Sequence, residues 1–429
     1  MNCFLEVYQL VSRDLFLILK VLIKLYTLDL HECLFVFFIE MEGNKMRQRM
    51  IGATLLISGT TIGAGMLALP MISAQLGFSK SIILLSVLWL YMLLTAIITV
   101  EISDGKGQSI ASIAKKRLGP WAKHLAGISL LVLFWSLLAA YISGGSSILH
   151  QEMRWNSSVI AIVYTLIFGV CVAACTKMVD YTNRILFIIK IIVFAVMIFG
   201  LVPFIKFSYL KSSDSLTTLS LIQAIPIFFT SFGFHGSLPS LIGYLHGNKK
   251  SLYLSIIIGS LIPLVIYILW QAVALGVIGS NFKVGGDVGL FISQLAYKTG
   301  KPYFSILADA FAFLAIATSF LGVALGLFDY VSEWFVKEGV EGKTVIGKVK
   351  VAVITFAIPL IFSLFYPTGF IFALGFAAIS LSLLAAVLPS MIGILEKKHS
   401  SIFLNKAILF CVLLGGLAVI GIEIFVKLI

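Results

Sequence analysis

"ISGTTIGAGMLALP", Ile57 to Pro70, lies inside a long apolar run. Its centre is weak as a helix. Gly63 and Gly65 flank Ala64, and two hydroxyl residues, Thr60 and Thr61, stand just before them with Gly59 ahead. A second apolar run, "IFFTSFGFHGSLPS" (Ile227 to Ser240), carries the same order of residue types. With Thr230 set on Thr60, T-S-F-G (Thr230, Ser231, Phe232, Gly233) faces T-T-I-G. His235 and Gly236 follow in the second run, and Pro239 answers Pro70. Glycine in one membrane helix is more often a close-packing residue than a break. Two matched runs point to paired breaks.

The surroundings decide what such breaks mean. Of 429 residues, 60% are hydrophobic and only 12% charged, more apolar surface than a soluble exterior can hide. From Ile51 onward eleven apolar segments recur: 51–78, 81–103, 124–149, 158–175, 185–205, 221–245, 252–279, 304–335, 351–366, 368–394 and 407–426. Runs of about 20 residues are the length needed to cross about 30 Å of hydrocarbon as a helix. Their apolar character is continuous rather than alternating, which disfavours a barrel. The fold class is therefore an all-α polytopic membrane protein.

The two weak runs are the first and sixth segments, an odd separation, so a repeat would enter the membrane the other way up. Matched Gly/Pro-interrupted segments in two inverted halves point to a transporter binding site. The expected organisation is one transporter domain, 41–429, with inverted repeats at about 51–205 and 221–394 and an extra helix at 407–426. Unwinding frees backbone N–H and C=O groups, which are costly in lipid and must face a cavity or ligand. Half-helix N-termini suit a carboxylate, and freed carbonyls suit an ammonium or a cation.

The net charge of +12 sits in short connectors, where basic residues set topology, so nucleic acid is not an expected partner. One set of alternate loops holds 19 Lys and Arg and the other 8. The richer set is expected in the cytoplasm, placing the end near Met41 inside and the C-terminus outside. Stretch 104–124 reads as a short basic amphipathic helix at lipid headgroups, ending at Gly119-Pro120. In the long outer connector 280–303, Phe291, Ile292 and Leu295 form an apolar face that suits a lid or a surface helix. Residues 1–40 fit no cleaved signal and read as an upstream start or a surface-lying helix. Cys3, Cys33, Cys171, Cys175 and Cys411 show no metal-ligand spacing and read as small packing residues. No His-Glu-x-x-His motif or spaced nucleophile and base suggests an enzyme.

Ionisable residues deep in a span are functional candidates. Lys190, in "RILFIIKIIVFAVM" (184–197), either snorkels to the cytoplasmic face or fills a cation site beside the first span. His235 either packs or serves a ligand or a proton. Asp309 reads as interfacial and Asp329 as a local cap or ion-pair partner. Thr318 and Ser319 offer hydroxyl oxygens to a small cation, or bond back to their own helix.

"GTTIGAGMLALP", "TSFGFHGSLPS" and "ATSFLGVALGLFDY" (317–330) resemble the hydroxy- and aromatic-amino-acid permeases of bacteria. The likeness runs from about residue 47 to the C-terminus. It implies proton-coupled uptake of an aromatic amino acid, tyrosine ahead of tryptophan, across the inner membrane. It also implies the five-plus-five inverted-repeat, LeuT-like fold with an eleventh helix outside the repeat. The substrate would then sit between Gly59–Gly65 and Thr230–Gly236. Lys190, Thr318 and Ser319 would form the ion-coupling set, with sodium left open beside the proton. The resemblance implies no organic cofactor, no resident metal and no obligate protein partner, only substrate and membrane lipid.

Overall fold

The computed structural model describes residues 45–174, 176–211, 218–279, 286–337, 345–396 and 401–428. Residues 1–40, with Cys3 and Cys33, and Cys175 lie outside them, as do 280–285 of the connector 280–303. Residues from Met50 onward form one compact unit.

Among the described residues the regular structure is helical, in eleven spans. The first is a pair, Lys45–Thr61 and Gly65–Leu76, bent by 53°. Then come Phe78–Ile102, Pro120–Met153, Ser157–Ala174 and Thr176–Leu201. The sixth is again divided, Thr218–Thr230 and Leu238–Tyr244. Lys249–Ile278, Pro302–Lys337, Val345–Phe365, Phe370–Leu395 and Lys406–Leu428 complete the set.

The side chains sort as a membrane solvent demands. Leu166, Val170, Ile188 and Phe199 point outward and stay exposed. Interior hydroxyls bond to their own backbone, as Thr99 does to Thr95 O and Thr165 to Ala161 O. The third span is the central post, packed against the fourth, eighth, ninth and tenth. Its small residues allow the approach: a Cβ on Gly144 would lie 2.8 Å from Ile316, and one on Gly145 3.0 Å from the Tyr164 ring. The eleventh span docks on the tenth and second through Ser382 Oγ to Gly416 O (2.8 Å) and Tyr91 Oη to Val412 O (2.6 Å).

Two connectors carry structure. Ile110–Leu118 is capped by Ser109, whose side chain accepts from Ser112 N, and stops at Gly119, where φ is 100°. Only glycine adopts that angle without strain. Its Arg117 pairs with Asp104 and Glu396, each at 3.0 Å, tying the C-terminal ends of the second and tenth spans. Lys115 and Lys116 stay exposed. In the connector between the seventh and eighth spans, Val288–Thr299 is capped by Asp287, which accepts from Leu290 N at 2.9 Å and from Ser147 Oγ of the third span at 2.5 Å. Phe291, Ile292 and Leu295 are buried, so this helix is docked on the bundle. The cysteine reading needs correction: Cys171 and Cys411 lie on exposed faces of their spans rather than in packed contacts. A thiol is apolar enough to lie among outward-facing apolar side chains.

Candidate functional site

The first break is shorter than the sequence suggests. The helix holds through Thr61 and resumes at Gly65, leaving Ile62–Ala64 outside it. Gly63 N turns tightly onto Thr61 O at 2.8 Å, and Met66 N and Leu67 N bond to Gly63 O and Ala64 O. The groups this frees are met by other spans. Ile62 O accepts from Lys190 Nζ of the fifth span at 3.0 Å. Ala64 N donates to Ser319 Oγ of the eighth at 3.1 Å. Thr61 O accepts from Tyr267 Oη of the seventh at 2.6 Å. Gly63 makes room for this closure: a Cβ there would lie 2.7 Å from Ser319 Oγ.

Lys190 does not snorkel. Most of the fifth span faces outward, yet Lys190 turns inward and is 2% exposed. Its second acceptor is Thr318 Oγ1 at 3.1 Å, and the Phe187 ring centre lies 4.5 Å from Nζ. An ammonium has three hydrogens, and two acceptors and a ring face receive them. Among the described residues no carboxylate pairs with it. Thr318 and Ser319 also bond back to Leu314 O and Ala315 O, each at 2.8 Å, which leaves their lone pairs to accept Lys190 and Ala64 N. The hydroxyl pair thus bonds back to its own helix while accepting from Lys190 and from Ala64 N.

The second break largely satisfies itself. Phe232 N, Gly233 N, Phe234 N and Ser237 N bond to Phe229 O, Thr230 O, Phe232 O and Phe234 O in successive tight turns. Thr230 Oγ1 bonds back to Pro226 O at 2.8 Å and reaches Leu374 O of the tenth span at 3.3 Å. Ser231 Oγ bonds to Ile227 O, and Ser231 O accepts from Tyr267 Oη at 3.1 Å. Phe232 is fully buried, its ring 5.5 Å from that of Tyr267.

Several site residues stand differently from expectation. Gly59 lies one turn before the break, facing the Phe187 ring. Thr60 is exposed, its hydroxyl on Leu56 O (2.9 Å) and Ile57 O (3.0 Å), and Thr61 Oγ1 is on Ile57 O (2.7 Å). Their hydroxyls complete the last helical turn, so the first break offers its backbone instead. His235 turns to the second span, where Nε2 lies 2.8 Å from Thr95 Oγ1. Thr95 Oγ1 also lies 2.8 Å from Met92 O of its own helix. Gly65 and Ser231 bring the two breaks together: a Cβ on Gly65 would lie 3.0 Å from Ser231 Oγ. Gly236 has open space around it.

Sequence reasoning placed the seventh span but did not assign its side chains to the site. Tyr267 and Trp270 are both fully buried, and Trp270 Nε1 donates to Met66 O at 2.8 Å. Their spacing, with Gln271, puts three polar-tipped side chains on one helix face, a signal legible in "YILWQ" (267–271). The ring of Phe291, from Val288–Thr299, lies edge-on to Trp270 at 6.5 Å. On that side Met66 to Met71 are all buried. Thr60, Gly233 and Gly236 keep exposed surface.

Residues 46–428 match the tryptophan/tyrosine permease family. The chain belongs to that family. Within this permease family, tyrosine-specific transport system 1 of Haemophilus influenzae is 36% identical over 364 residues, covering 82% of this chain and 90% of its own. The tryptophan-specific transport protein of the same organism is 32% identical, covering 80% and 87%. The low affinity tryptophan permease of Escherichia coli K12 is 31% identical, covering 80% and 86%. The permease fold resembles the crystal structure of MhsT in complex with L-phenylalanine: TM-score 0.60, 12% identity, 88% of this chain and 98% of that one. That likeness is to a LeuT-type fold, the five-plus-five inverted repeat with an extra helix. The permease is thus a multi-pass membrane transporter, not an enzyme.

Proposed function

We propose that this permease imports an aromatic amino acid, tyrosine first, across the bacterial inner membrane by proton symport through alternating access. Relatives named for tyrosine at 36% and 34% identity support that order over tryptophan. The observation that carries the coupling is Lys190, a buried amine holding Ile62 O at the first break and Thr318 Oγ1 on the eighth span. A proton on Lys190 stabilises the closed junction of these elements, and its loss loosens them. The ammonium stands where the same oxygens would otherwise hold a small cation, which favours a proton over sodium.

The substrate carboxylate docks at the start of the Gly65–Leu76 half-helix, where Gly65 N–H has no partner among the described residues. Its ammonium takes freed carbonyls, and its ring lies toward Phe232. Val288–Thr299 is the outer lid, and the first, second, sixth and seventh spans rock against the rest. The loop charge asymmetry supports a cytoplasmic start to the first span and a periplasmic C-terminus.

Purified protein in liposomes under an imposed pH gradient tests this. Labelled tyrosine should accumulate with the proton gradient and be competed by other aromatic amino acids. Accumulation that follows sodium and ignores pH would sink the coupling, and competition won by tryptophan would reverse the substrate order.

A further inference from the structure

Tyr267 touches both breaks with one hydroxyl. A phenol carries a single hydrogen. Two carbonyls compete for it, Thr61 O at 2.6 Å and Ser231 O at 3.1 Å. Thr61 O also accepts Gly63 N, whereas Ser231 O has no other donor among the described residues. The ring has nowhere to swing. It is fully buried in the seventh span and packed against Phe232. The junction it spans has no slack either. A Cβ on Gly65 would lie 3.3 Å from Ser231 Cα, so the two backbones already meet.

We propose that Tyr267 is a positioning residue whose hydroxyl straps the first break to the second and sets the separation across which the amino-acid group of the substrate binds. The inference rests on the reading that substrate binds between the breaks. It goes further by placing the control of that gap on a third span. Both partners of the strap are backbone carbonyls, so the strap does not read the substrate's ring. Its loss weakens every aromatic substrate by the same factor, unlike the loss of a group that pairs with one ring type.

Tyr267→Phe keeps the ring and its packing on Phe232 and removes only the hydroxyl. In proteoliposomes the half-saturation concentration for tyrosine should rise about tenfold with the maximal rate within about twofold, the loss of one buried hydrogen bond. Inhibition constants for tyrosine, tryptophan and phenylalanine should rise in parallel. An unchanged half-saturation, a shift confined to one ring type, or a fall in maximal rate alone overturns the strap. Gly65→Ala presses on the same junction from the other side and gives a second route should the first variant not reach the membrane. It too should raise half-saturation for all three substrates in parallel, and a ring-selective shift overturns the proposal. In the double variant the two effects should fall short of their product, because both act on one gap; simple multiplication overturns it. A wild-type protein that takes up no aromatic amino acid removes the functional reading itself, and the strap with it.

Discussion

The two breaks carry nearly the same residue order and are held in opposite ways. Ile62–Ala64 is short, and its freed groups are met by side chains from three other spans: Lys190, Tyr267 and Ser319. Ser231–Phe234 is longer and closes mainly on itself through successive backbone turns. Its side-chain links to other spans are Thr230 to the tenth, His235 to the second and the shared Tyr267 hydroxyl. The first break is therefore the sensitive partner. Any change of charge or position in the fifth, seventh or eighth span reaches it directly, while the second break's backbone bonds stay mainly within its own turns. A transporter that couples an ion to a substrate needs one such junction at which both are felt.

Removing the charge should break the comparison most visibly. Lys190→Met leaves Ile62 O without its donor, and gradient-driven tyrosine accumulation should fall by about 100-fold, as for loss of a buried charged partner. Uptake that still follows the pH gradient would take Lys190 out of coupling. Next comes Gly63→Ala, whose Cβ would lie 2.7 Å from Ser319 Oγ and drive that hydroxyl off Ala64 N. Initial uptake should drop by roughly tenfold. Ser319→Ala removes the same hydrogen bond without the clash, so a smaller loss of about fivefold is expected in the same assay. If Ser319→Ala proves worse than Gly63→Ala, the hydroxyl has a role beyond holding Ala64.

The smallest effects belong to residues the two motifs share but the structure uses lightly. Gly236→Ala meets no atom within 4 Å, and Thr60→Val removes a hydroxyl spent on its own helix. Both should transport within about twofold of wild type. A tenfold loss at Gly236 would show that the second break is as constrained as the first, and the asymmetry would fail.

Much of the architecture was legible because a lipid solvent leaves few choices. Apolar length marks a span, and a Gly-rich centre in two spans five apart marks an inverted pair. Lys190 stood out for the same reason, as a charge in an apolar run. Side-chain direction did not. Lys190 sits on a span whose other residues mostly face outward, and only packing shows that its amine turns to Ile62 O. Nor could the sequence show that the Thr60 and Thr61 hydroxyls bond back to carbonyls three or four residues earlier on their own helix. His235 lies in the second break by sequence and on the second span by contact.

By itself, the sequence determined the membrane-spanning class, the eleven segments, the matched pair of weak runs and a lysine within an apolar run. These are one-dimensional signals, carried by composition and spacing. Tertiary structure decided which freed group meets which partner. Tyr267, 206 positions from Thr61, became the link between the breaks because hydrogen bonding depends on ångströms in space and not on order along the chain.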